Sequence, residues 1–209
     1  MMRAAGLPLD GAVPNASPVR RLLCAALLAA GALLGQVTPA SANDRIEVRS
    51  AELRPAADGD GIALDATFDF DLPWALEDAV SRGVPLYFVV DFELYRTRWY
   101  WFDDRRAAAT LTHRLSYSPL TREYRLARGS LALPFETLGA ALATLRRVTN
   151  WTVIERGTLA AGDSYRAQVR MRLDTTQLPR PFQIGAITSR DWTLFSEWRN
   201  VPVRSDLAR

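Results

Sequence analysis

The sequence predicts a mainly β protein, an antiparallel two-layer sandwich with two short inserted helices. Three observations carry that prediction. The run Pro85 to Phe102 is dense in β-branched and aromatic residues and keeps a strict two-residue rhythm, with Leu86, Phe88, Val90, Phe92 and Leu94 on one side and Tyr87, Val89, Asp91, Glu93 and Tyr95 on the other. Alternate side chains of a strand point to opposite faces, so the first set is the expected core face. The same rhythm recurs over Ile62 to Leu72 and Asp163 to Asp174. Turn signals separate the strand-like runs at intervals of roughly 8–12 residues, the spacing of a sandwich.

The elements follow in order. Arg20-Arg21, an apolar run from Leu22 to Leu34, and Thr38 to Ala42 make a basic, apolar and small-residue series. That series predicts a secretory signal over 1–42, cleaved after Ala42. The run is broken by Gly31 and Gly35 and falls short of the roughly 20 apolar residues of a membrane span. A retained inner-membrane anchor is the alternative. The only cysteine, Cys24, lies in this leader at the start of the apolar run, a poor place for lipidation, and its loss leaves a chain without thiols or disulfides.

Residues 43–199 form the expected single domain. Arg45 to Leu53 is a first strand, and Asp58-Gly59-Asp60-Gly61 a turn into the second. Pro73 fits the first turn of a helix ending near Arg82, with Trp74, Leu76, Ala79 and Val80 as its apolar side. After the central strand, Arg98 to Phe102 reads as the aromatic second arm of a hairpin, closed by a turn at Asp103-Asp104. Ala107 to Tyr117 alternates again, with His113 inward and Ser116 outward. A short strand over Thr121 to Ala127 follows. Phe135 to Arg147 has leucines at helical spacing. Trp151 to Glu155 and Asp163 to Asp174 return as strands, Asp191 to Trp198 is a final edge strand, and 200–209 is a disordered tail. The count of short strands and their turn spacing point to an immunoglobulin-like arrangement.

Charge and composition exclude some functions. All 26 basic residues are arginine, and losing the leader lowers the formal net charge from +3 to about +1. That is not the concentrated surplus of a nucleic-acid binder. His113 is the only histidine, so a histidine- and cysteine-rich metal site cannot form, and it is expected as a hydrogen-bonded core or rim residue. The Asp-Gly-Asp-Gly turn lacks the downstream bidentate acid of a calcium loop. No catalytic residue, metal or cofactor is assigned.

Two surfaces remain as candidates. Arg98, Trp99, Tyr100 and Trp101, with Trp192 and Trp198, combine arginine with aromatic faces, which suits a sugar ring, a peptide or a partner protein. Asp65, Asp69 and Asp71, with Asp91 and Glu93 on the following strand, form an acidic stripe. That stripe is either a hydrolytic carboxylate set acting on envelope glycans or a solvated face paired to Arg166, Arg170 and Arg172. The leading expectation is a non-catalytic binding module. A third is an assembly subunit offering a free edge at 98–102 or 191–198 to a partner's sheet.

The segments PLYFVVDFELYRTRWYWFDD, HRLSYSPLTREYRL, RLDTTQLPRPFQI and SRDWTLFSEW resemble those of an exported proteobacterial family described only as a domain of unknown function, DUF4390. The resemblance runs from about Ile46 to Trp198. It implies a periplasmic or membrane-associated protein and, from the family's gene context, a sensor kinase as envelope partner. It carries no activity, ligand or catalytic residue.

Overall fold

The computed structural model describes residues 45–97, 103–180, 182–183 and 192–208. Among them lie nine strands and two α-helices, in the order β1 (Glu47–Pro55), β2 (Gly61–Asp69), α1 (Trp74–Ser81), β3 (Leu86–Arg96), β4 (Asp104–Ser118), β5 (Glu123–Arg128), β6 (Leu131–Phe135), α2 (Leu138–Leu145), β7 (Arg147–Glu155), β8 (Tyr165–Leu173) and β9 (Arg199–Val201). They build two antiparallel sheets, a small one ordered β1-β2-β7 and a large one ordered β6-β5-β4-β3-β8-β9. This order of strands is compatible with the immunoglobulin-like plan, in which hairpins are shared out between two sheets.

Strand β3 sits in the middle of the large sheet, paired along its length with β4 and β8. Leu86, Phe88, Val90, Phe92 and Leu94 are all fully buried, as the alternation requires. They face a core shared by both sheets. From β2 it receives Leu64, Ala66 and Phe68, and from β8 Ala167, Val169 and Met171. Phe70, just past β2, stacks on Phe88 with ring centroids 5.6 Å apart, so one aromatic pair spans the layers.

The bulge in β7 explains a conspicuous acid. Register slips against β2 on either side of Leu64, and Asn150 takes a left-handed backbone with φ of 49°. The amide freed there donates to Asp65 Oδ1 at 2.7 Å. Asp65 thus satisfies the backbone of its neighbour. The β1–β2 turn closes through Ala56 N–H to Gly61 C=O at 3.0 Å, and Asp58 accepts from the Asp60 amide at 3.1 Å. Gly61 has φ of 146°, and a β-carbon there would lie 2.2 Å from the Ile154 carbonyl oxygen, so glycine is required by both conformation and space.

Several elements depart from expectation. Helix α1 buries Leu76, Ala79 and Val80, but its first residue, Trp74, is 78% exposed. A side chain in the first turn overhangs the helix N-terminus, beyond the sheet that α1 covers. Phe135 belongs to β6, and α2 starts only after Thr137, whose hydroxyl accepts the Ala140 amide at 3.2 Å as its N-cap. Asp104 opens β4 instead of lying in a turn. The segment 192–198 is not a regular strand: Leu194 and Ser196 exchange backbone bonds with Leu173 and Met171, and Ser196 Oγ also accepts the Met171 amide at 2.9 Å. That side-chain bond replaces a ladder bond and interrupts the pairing before it resumes as β9. The expected tail is tied down at its start, since Asn200 and Val201 pair with β8 and Val201 is buried.

Candidate functional site

The outer face of β3 and β8 is a ladder of cross-strand ion pairs. Asp91 lies opposite Arg170 and accepts from its Nε at 3.0 Å, and from Arg172 Nε at the same distance. Thr110 adds a longer bond from β4 at 3.4 Å. Two residues further along β3, on the same face, Glu93 accepts from Tyr95 Oη at 2.7 Å and Gln168 Nε2 at 2.9 Å, with Arg105 3.6 Å away. Burial pushes the Glu93 carboxyl up, but the bonds from Tyr95 and Gln168 and the charges of Arg105 and Arg170 outweigh it and hold it below the usual carboxylate range. Its bond to Glu93, and then burial, raises the Tyr95 phenol. A carboxylate held this way stays ionised and lacks the raised pKa of a general acid.

This ladder ends at an aromatic edge. The Arg170 guanidinium lies over the Trp198 ring, 4.4 Å from its centroid. Beside it, Phe195 stands 40% exposed as a ridge between two shallow hollows. One, of about 410 Å³, lies toward β1 and is walled by Arg45, Arg199 and Trp198. The other, of about 340 Å³, lies toward β8 and is walled by Arg170, Arg172 and Trp192. Trp192 is braced by Phe182, ring centroids 5.8 Å apart. The ridge is anchored at its backbone: Phe195 C=O accepts the Ile46 amide at 3.1 Å, tying β1 to the segment beside β8.

The structure therefore brings Trp192 and Trp198 to opposite sides of one ridge. Arg98, Trp99, Tyr100 and Trp101 lie outside the described residues. The residues that the sequence pattern missed are Phe195, Arg45 and Arg199. The outward arginines of β8 were legible from alternation, but the outward register of Phe195 is fixed by its pairing opposite Arg172 on β8.

The acidic stripe does not exist as one surface. Asp65 and Asp69 belong to the small sheet and Asp71 follows it, whereas Asp91 and Glu93 belong to the large one. Asp69 is engaged by Arg49 at 2.6 Å, Asp65 by Arg54 at 3.0 Å and Asp71 by Arg146 at 3.2 Å. The pairing of Asp91 to Arg170 and Arg172 is as expected. The two acid sets lie in different sheets because helix α1 carries the chain from one layer to the other between β2 and β3.

His113 faces the core between Phe88 on β3 and Arg128 on β5, and is 6% exposed. Its Nδ1 has no partner among the described residues, so the expected hydrogen-bonded histidine is corrected at that atom. Burial, then the Arg128 charge, lowers its pKa to about 4. No group of three or more His, Asp or Glu side chains among the described residues could hold a metal ion.

These features define a mainly β, two-sheet protein with an arginine-walled aromatic ridge at the edge of its larger sheet. The model of the family described as a domain of unknown function (DUF4390) matches residues 43–202, and the chain belongs to that family. No curated protein and no solved structure matches it.

Proposed function

We propose that this protein is a non-catalytic binding module of the bacterial periplasm that engages an envelope protein through the Phe195 ridge. The observation that carries this reading is the exposed Phe195 between Trp198, clamped by Arg170, and Trp192, with arginines on both flanks. Aromatic and arginine side chains are the anchors that interfaces favour, because each contributes large contact area with few rotamers lost or several donors per side chain. The leader over 1–42 supports export, and the family's gene context supports a sensor kinase as partner. Among the described residues no helix is long and apolar enough to cross a membrane.

Photo-crosslinking in intact cells tests the reading. A photoreactive residue at position 195 forms a discrete adduct with one envelope protein, and Trp198→Ala or Arg170→Glu diminishes it while the protein stays folded. The same residue at Glu52, on the outer face of the small sheet, forms none. Equal adducts from both positions, or no change in the variants, refutes the ridge as the binding surface.

A further inference from the structure

The two edges of the large sheet are treated differently. At the β9 edge, Phe195 bridges to Arg45, just before β1 of the small sheet, and closes the corner. At the other edge, β6 pairs only with β5 among the described residues. Its sequence, LALPF, carries no charge, and residues 131–134 are all exposed, Leu131 at 60% and Leu133 at 42%. Natural edges are usually guarded by charged side chains. Here the only guard is Pro134. Proline has no N–H to give a ladder, so its position is one whose amide would face outward. Residues two apart share that direction, which leaves the Ala132 N–H and C=O pointing away from β5.

The side chains explain what such an edge would accept. Leu133 lies opposite the buried Leu126, so Leu131 and Leu133 continue the core face outward. Three strands cannot cover six, and α2, packed on β5 and β6, leaves these two leucines uncovered. The flanking charge is positive. Arg114, Arg122, Arg125 and Arg128 surround the hairpin, against Glu123 and Glu136. Only Arg125 has an acidic neighbour among the described residues, Glu123 at 4.0 Å.

From this juxtaposition we infer that β6 is a strand-addition site for an extended segment of another protein in which apolar residues alternate with acidic ones. The added strand takes the Ala132 N–H and C=O, lays its apolar residues beside Leu131 and Leu133, and turns its carboxylates to Arg125, which shares the opposite face with Ala132 and Pro134. A second copy of this chain would place a further set of unpaired arginines against the first, which disfavours self-pairing. The site is distinct from the Phe195 ridge, and the substitutions below leave that ridge intact.

The test uses the isotopically labelled protein and two synthetic peptides, acetyl-(Glu-Val)4-amide and acetyl-(Lys-Val)4-amide. The glutamate peptide is expected to shift the amide resonances of 131–135 (Pro134 excepted) and to protect the Ala132 amide from exchange, less so as salt is raised. The lysine peptide does neither. Arg125→Glu weakens the glutamate peptide by about threefold or more, Arg128→Glu, on the leucine face, does so less, and Ala132→Pro abolishes its effect. Equal responses to both peptides, or none at 131–135, overturns the inference. So does a concentration-dependent dimer in sedimentation that Ala132→Pro dissolves, which would assign the edge to a second copy. Arg125 lies on the surface, so its charge reversal decides the matter even where Ala132→Pro fails to fold.

Discussion

Acid sensitivity between pH 7 and pH 5 should trace to His113. In the unfolded chain its imidazole titrates at the ordinary value of 6.5, and in the folded protein at about 4. The unfolded state therefore binds more protons throughout that interval, so stability rises with pH across it and is lost on acidification. The separation corresponds to about 3 kcal/mol once the pH lies below both values, and to about 2 kcal/mol at pH 5. The carboxylates held low, Asp69, Glu93 and Asp174, act at more acid pH, because their contribution is lost only as pH falls from the ordinary carboxylate range through their folded values. Asp69 is held by its bond from Arg49, while for Asp174 the bonds from Gln177 and Thr176 outweigh burial. Urea unfolding followed by tryptophan fluorescence at pH 7, 6 and 5 reads the effect. The natural protein loses about 2 kcal/mol over that range, whereas His113→Leu, which removes the titration and the orphaned Nδ1 together, stays nearly flat. Parallel losses in both proteins would refute the reasoning, as would a natural protein insensitive to pH.

Other perturbations follow from the packing. Phe92→Ala empties a fully buried site on the central strand and should cost about 3–5 kcal/mol in the same assay. Gly61→Ala forces a β-carbon against the Ile154 carbonyl and should lower stability by about 2 kcal/mol or more, with a drop in melting temperature in calorimetry. Asp91→Asn leaves Arg170 and Arg172 sharing a neutral acceptor and should cost about 1–3 kcal/mol, less in high salt, by chemical denaturation. Trp74→Ser, despite removing an aromatic residue, should change stability by less than about 0.5 kcal/mol, since the ring is mostly in solvent.

Much of the fold was legible because burial in a strand has a period of two. The core faces of β2, β3 and β8, and the buried leucines of α2, follow directly from spacing. The candidate site was legible only in part. Trp192 and Trp198 stand out by type, whereas Phe195 takes the outward register opposite Arg172, which only the pairing of this segment with β8 fixes. Trp74 shows the converse failure: helical spacing assigned it to the apolar side, and the end of the helix left it in solvent.

The amino-acid sequence alone determined the strand-rich class, the inward residues of each long strand and the lack of any cysteine after Cys24, because these depend on local periodicity and composition. The tertiary structure decided which strands are neighbours. Asp69 and Asp91 sit on successive strands, yet the crossover through α1 puts them in different sheets. Leu131 and Leu133 are apolar like the core, yet six strands against three leave them in the open. Strand pairing joins residues far apart in the chain, and no local pattern encodes which partner the chain's return path will supply.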